Sequence, residues 1–170
     1  MPGLNASVQQ KGPAEPHSQA ETILRVCLIS LGGELYAVDL RRVGEVFEVE
    51  SVTPVPGMPS ALVGVANLRG VVIPLVDLRL ILGLAVADPP PPFAVVIRHG
   101  SRQVGVLVER VPEIRNVQHD QLLPTPHDGS SQTRPFVSAV LRLEDRLGGM
   151  LQVPLLFEQV EGGGSVITSN

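Results

Sequence analysis

Apolar residues in this chain come in short runs broken by Gly, Pro and acidic residues, and where they alternate with polar ones the period is two rather than 3.6. Residues 23–31 read as a strand, Gly32-Gly33 as a tight hairpin turn because Gly takes positive φ without strain, and residues 34–38 as the returning strand. Asp39 is placed to cap a single helical turn at the start of LRRVGEV. Phe47 and Val49 then alternate with Glu48 and Glu50, as on a strand with one face in solvent. The prolines of TPVPGMP remove ladder donors and make that segment a loop. Residues 61–66 and 71–76 are apolar runs on either side of Asn67-Leu68-Arg69-Gly70. Pro74 predicts that the second run is an edge strand or ends there. Asp77 is placed to cap a short helix over LRLILG, with Gly83 just past its end.

The prolines at 89–92 close a stiff, extended link over 86–92 that divides the chain near its middle. A hairpin over 93–98 and 102–108 follows, then a strand at 111–117 and a polar, Pro-rich loop over 118–135. A last hairpin turns at Glu144-Asp145, and residues 155–160 suit one closing helical turn. Residues 1–21 are polar and rich in Pro, too poor in apolar side chains to offset the entropy of ordering. They are expected to form a flexible tail, as is the Gly-rich end at 161–170, leaving 22–160 as the folded domain. Many short strands and hardly any helix make the fold class all-β, a barrel or sandwich, and the hairpin–link–hairpin rhythm suggests two similar units.

Composition supports this reading. Of 170 residues 44% are hydrophobic but only 3% aromatic, with no Trp, so the core must be built from Val, Leu and Ile, side chains that suit a pleated strand. The 13 basic residues, 12 of them Arg, are scattered and outnumbered by 17 acidic ones, which argues against nucleic-acid binding. Cys27 is the only cysteine; a buried, inert thiol in a reducing cytoplasm is the expectation. The longest apolar stretch, 61–84, is interrupted by Arg69, Asp77 and Arg79, which argues against a spanning helix.

The chain offers no persuasive catalytic set. His17, His99, His119 and His127 lack metal-ligand spacing, and solvated histidines in turns, loops and the tail are the expectation. Neither a GxSxG nor a GxxxxGK[ST] occurs, so the expectation is no enzyme, no metal and no cofactor. What stands out is GVANLRGVVIPLVDLR (64–79), an Arg framed by Leu and Gly between two apolar strands. Arg at such a turn can be a solvated surface residue or an interface anchor, since its planar fork combines several hydrogen bonds with apolar stacking.

That block, with LGGELYAVD (31–39), VGEV (43–46), TPVP (53–56) and VGVLVERV (104–111), resembles CheW-type chemotaxis coupling proteins over about residues 22–160. The resemblance implies two SH3-like five-stranded β-barrels around a shared core, with a few short helices, the first barrel mainly before the 86–92 link and the second mainly after it. It implies a scaffold that joins the cytoplasmic tip of chemoreceptors to the regulatory domain of a CheA-type histidine kinase, at receptor arrays by the inner face of the membrane, with ring-forming self-association. By the same resemblance Arg69, Val43, Glu45, Phe93 and Ala94 lie toward the receptor, and Val52 and Gly64 toward the kinase. The departures from the family pattern, the prolines at 89–92, the 118–135 loop and the Gly-rich end, leave partner identity open. A pilus, surface-sensing or second-messenger pathway is the alternative to flagellar chemotaxis. A module of a larger signalling protein is disfavoured because 170 residues leave no room for an ATP-binding domain or a receiver. An unrelated β-barrel enzyme would need convergent polar groups that the sequence does not display.

Overall fold

The computed structural model describes residues 22–86, 89–124 and 136–168, with the backbone alone for 22 and 162–168. The tail expected at 1–21, residues 87–88 of the proline link, residues 125–135 of the polar loop and the last two residues lie outside the described residues.

The described strands form two sheets. One holds β1 (Thr22–Leu31), β2 (Glu34–Asp39), β8 (Glu113–Gln118), β9 (Leu122–Pro124), β10 (Val137–Leu143) and β11 (Arg146–Leu151) in the order β8-β1-β2-β11-β10-β9. The other holds β3 (Val43–Glu48), β4 (Leu62–Leu68), β5 (Val71–Val76), β6 (Phe93–His99) and β7 (Arg102–Val108) in the order β3-β6-β7-β5-β4. Each sheet curls around its own apolar interior. The terminal barrel encloses Val26, Leu28, Leu35, Ala37, Val117, Leu141 and Leu143, and the central barrel encloses Ala66, Leu75, Ala94 and Leu107, with Phe47 from β3 packed against them.

Between the barrels lies a larger shared core, and strand alternation builds it. On β1, Val26 and Leu28 face the terminal barrel while Cys27, Ile29 and Leu31 face the shared core. On β6 and β7, Ala94 and Leu107 face the central barrel while Val95, Ile97, Val104, Val106 and Val108 face the shared core. These strands are covered on both faces, which is why they read as continuous apolar runs rather than alternating ones. Phe136 and the helix α2 (Val153–Thr168), through Val153, Leu156, Phe157 and Val160, complete the shared core.

The proline link falls inside the central barrel: that barrel takes three of its five strands from before the link, and the terminal barrel takes four of its six from after it, so each lies mainly, not wholly, on its expected side. β1 and β2 leave the N-terminal half and pair with β8 and, in parallel, with β11, whereas β3, β4 and β5 join β6 and β7. The chain crosses between barrels twice. After β2 the crossing is a 3-10 turn, Leu40–Arg42, capped by Asp39, whose side chain accepts from the Arg41 N–H as expected. After β7, Glu109 anchors the return: its carboxylate accepts from Gly32 N–H at 2.6 Å and its N–H donates to Ser30 O. The terminal barrel also carries β9, a three-residue strand inside the segment expected to be loop, which brings it to six strands.

Two further expectations change. Pro74 lies in β5, which sits between β4 and β7 rather than at an edge. It costs no ladder bond, because its partner Val65 turns both backbone groups the other way, to Thr53 at 2.9 Å. Pro74 therefore points its nitrogen away from β4, and the register with β7 begins only at Leu75. At the C-terminus the single closing turn expected at 155–160 is instead α2, running on to Thr168 through Gly162–Gly164. The short helix α1 (Leu78–Leu82) is as expected, with Asp77 accepting from Arg79 N–H and Gly83 left-handed at φ 73°.

Candidate functional site

The β4–β5 hairpin turns on only two residues, Arg69 and Gly70, both with positive φ (53° and 87°). Such a turn follows the strand twist, and the Asn67 side chain fixes it by accepting from Gly70 N–H at 2.8 Å. Arg69 is thus a non-glycine residue held left-handed at an exposed tip. Its Nη2 donates to both oxygens of Glu45, at 2.6 and 2.7 Å. The Glu45 carboxylate raises the Arg69 pKa above the ordinary arginine value, through the hydrogen bond first and the charge second.

Glu45 reaches that position because β3 is irregular. Val43 pairs with Ile97 and Val46 with Val95, so the stretch between them carries a bulge at Gly44-Glu45. A Cβ on Gly44 would lie 2.9 Å from the Arg98 guanidinium, so a larger residue there would displace the end of that exposed side chain. The start of β3 is held by the turn before it. Arg41 donates to the Asp39 carboxylate at 3.1 and 2.7 Å and holds it below the usual carboxylate range, and Arg42 Nη1 lies 3.2 Å from His99 Nδ1.

The residues expected to face a receptor divide into two groups. Glu45 and Arg69 stand at the open end of the central barrel, beside Val71, Ile73, Val96, Arg98 and Gln103. Val43 and Phe93 are half-buried and pack instead on the shared core between the barrels, at opposite ends of the β3–β6 ladder. Ala94 is fully buried in the central barrel with Ala66, Leu75 and Leu107. Near the start of a strand packed on both sides, Ala94 shapes the barrel and offers no side chain to a partner.

The two residues expected to face the kinase come together. The backbone that approaches Gly64 is the chain's own. A Cβ on Gly64 would lie 2.6 Å from Thr53 O and 2.6 Å from Val52 Cγ1. Thr53 bridges to Val65 next door, so the 52–53 segment lies along β4 and leaves Val52 exposed above Gly64.

Sequence reasoning missed two arginines and underrated a histidine. Arg79 is buried with Asp77 in a two-pronged ion pair, 3.0 and 2.8 Å. Its signal was its position two residues after a helix cap, facing back onto the cap's carboxylate. Arg98 lies at the end of an apolar strand. His99 is half-buried rather than solvated, its ring 5.4 Å from that of Phe157, over which Arg102 also stacks before pairing with Glu161. His119 begins a 3-10 turn, while His17 and His127 lie outside the described residues. Among the described residues no group of three or more His, Cys, Asp or Glu could hold a metal ion, and no helix is long and apolar enough to cross a membrane.

Known proteins resemble this chain in sequence and in fold. A chemotaxis protein CheW of Rhizobium meliloti is 33% identical over 132 residues, covering 77% of this chain and 85% of its own. A probable chemotaxis protein CheW of Rhizobium etli is 31% identical over the same length and the same shares. The solved scaffolding protein TtCheW of Thermoanaerobacter tengcongensis has the same fold, with a TM-score of 0.65 at 24% identity over 75% of this chain and 88% of its own. The sequence profile of the CheW-like domain matches residues 25–161, from β1 into α2, and on that match the chain belongs to the CheW-like family.

Proposed function

We propose that this protein is a chemosensory adaptor that joins chemoreceptor tips to a CheA-type histidine kinase and carries out no chemical step itself. The observation that carries the reading is the Arg69–Glu45 pair, an ion pair presented on a two-residue turn of a family scaffold. An adaptor needs two separate surfaces on one stiff body, so that binding one partner raises the effective concentration of the other. The β4–β5 hairpin supplies that geometry. In this reading Val52 over Gly64 is the kinase side and Glu45 with Arg69 is the receptor side, with Val43 and Phe93 contributing only from their half-buried places on the shared core. Gly64 and Arg69 are five residues apart, about 16 Å along an extended strand.

The array at the inner face of the membrane is the site of action in this reading, with association into rings as its higher-order form. Residues 1–21 are dispensable for both contacts. The test is reconstitution. The protein should raise receptor-dependent activity of a purified CheA-type kinase, bind each partner alone, and take up no labelled phosphate. Phosphate transfer to any residue of this chain, or failure to bind either partner, overturns the reading.

A further inference from the structure

The open end of the central barrel is more than the setting of the Arg69–Glu45 pair. Side chains from β3, β5, β6 and β7 surround a recess of about 230 Å³ there. Its floor is apolar, formed by Val96 and Ile73, both almost fully buried, with the exposed Val71 on one side. Its rim carries Glu45, Arg69, Arg98 and Gln103. Arg69 and Glu45 neutralise each other. Arg98 has neither a hydrogen-bond nor an ion-pair partner among the described residues, and its side chain is exposed.

Exposed and without a protein partner among the described residues, this guanidinium keeps its donors available to an incoming acceptor. Its place follows from the strand that carries it. The strand alternation that sends Ala94 and Val96 inward brings Arg98 to the mouth on the same face. The absence of a side chain on Gly44 lets the guanidinium lie against the bulged backbone, where a Cβ would come within 2.9 Å of Cζ and Nη2. The recess thus has an apolar floor, a neutral ion pair on one side and one exposed positive charge without a partner among the described residues.

We infer that Arg98 is a specificity-determining residue of this surface: it pairs with a carboxylate on the partner while a neighbouring apolar side chain of that partner enters the recess over Val96 and Ile73. The occupant is the receptor, so the inference rests on the adaptor reading and deepens it. Charge complementarity selects a receptor segment with an acidic residue beside an apolar one. Arg98, not Arg69, carries the net charge of the site, because Arg69 reaches the partner already neutralised.

The experiment measures binding of a purified cytoplasmic receptor fragment, and separately of a kinase regulatory-domain fragment, at several salt concentrations. Arg98→Gln should weaken receptor-fragment binding about tenfold, flatten its salt dependence, and leave the melting temperature and kinase binding unchanged. Arg98→Lys should retain the salt dependence and part of the affinity. Unchanged receptor affinity in Arg98→Gln, where Arg69→Glu loses it, overturns the inference and leaves the adaptor reading standing. Weakened kinase binding with intact receptor binding also overturns it, because the mouth then faces the other partner. A melting temperature lowered equally in Arg98→Gln and Arg98→Lys makes Arg98 a packing residue and overturns it as well. A parent protein that binds neither fragment removes the adaptor reading and this inference together.

Discussion

Arg69 and Glu45, 24 residues apart in sequence, meet through one guanidinium nitrogen that donates to both carboxylate oxygens. The pair ties the tip of the β4–β5 hairpin to the bulge of β3, the two edge regions of the central barrel. It is exposed, with 71% of the Arg69 side chain and 39% of the Glu45 side chain open to solvent, so water and salt screen it and folding depends on it little.

Arg69→Glu sets two carboxylates face to face at that tip. The expected outcome is a normally folded protein that binds kinase, but binds receptor fragments at least about tenfold more weakly and fails to couple. The charge-swapped double variant Arg69→Glu/Glu45→Arg separates two causes. Restored coupling in the swap means that the pair acts by shaping the hairpin. Continued loss means that Arg69 itself touches the receptor. Thermal melts run beside the pull-downs show whether either variant has lost its fold, in which case Arg69 is structural.

Gly64→Asp is expected to act through the chain's own backbone. Any Cβ there collides with Thr53 O and Val52 Cγ1, so the 52–53 segment must leave β4, breaking the two hydrogen bonds between Thr53 and Val65. Kinase binding should fall because Val52 moves, with a lower melting temperature than the parent. Gly64→Ala should show the same pattern in milder form. Kinase binding lost with no change in melting temperature would instead mean direct contact at Gly64.

The buried Asp77–Arg79 pair should matter to stability far more than the exposed one. Removing one member leaves an uncompensated charge in the core, at a cost of about 3–5 kcal/mol. Arg79→Leu and Asp77→Asn should therefore each destabilise strongly in urea. The double replacement with apolar residues should recover part of the loss. A double variant no more stable than the singles would mean that the pair also orders α1 through the Asp77 cap.

Phe157 fixes α2 to the body, lying in the shared core with His99 and Arg102 against its ring. Phe157→Ala should cost about 3–5 kcal/mol by opening a cavity under the helix. Hydrogen exchange should show α2 and the β6–β7 turn loosening together, while the terminal barrel's interior remains protected.

Burial raises the Cys27 thiol from 9.0 to about 11. It should resist alkylation by iodoacetamide at pH 8 in the native state and react readily in urea. The folded state holds its proton where the unfolded state releases it, so stability from this group is full below pH 9 and falls as the pH rises from about 9 to about 11. Rapid native labelling at pH 8 would show that β1 opens locally.

The local parts of this fold were legible because their causes are local. Gly32-Gly33, Arg69-Gly70 and Glu144-Asp145 mark hairpins through φ alone, and Asp39, Asp77 and Gly83 mark short turns and a helix through single capping bonds. The site was half legible. Arg69 stood out in its motif; Glu45 stood out only through the resemblance, because its pairing with Arg69 depends on a bulge that residue types alone do not separate from Glu48. Arg98 looked like one more scattered charge, and Ala94 and Gly64 looked like surface positions.

The sequence alone determined an all-β chain of short hairpins, because two-residue turns and period-two patterns act between neighbours. Tertiary structure alone decided which hairpins share a barrel. The pairings of β2 with β11 and of β5 with β7 are parallel and link distant segments, and the same apolar runs could equally serve a strand in either sheet. Burial on both faces chose between them: only this interleaving gives β1, β2, β6 and β7 a barrel interior on one side and the shared core on the other. The same choice brought Glu45 to Arg69 and left Arg98 at the mouth without a partner among the described residues.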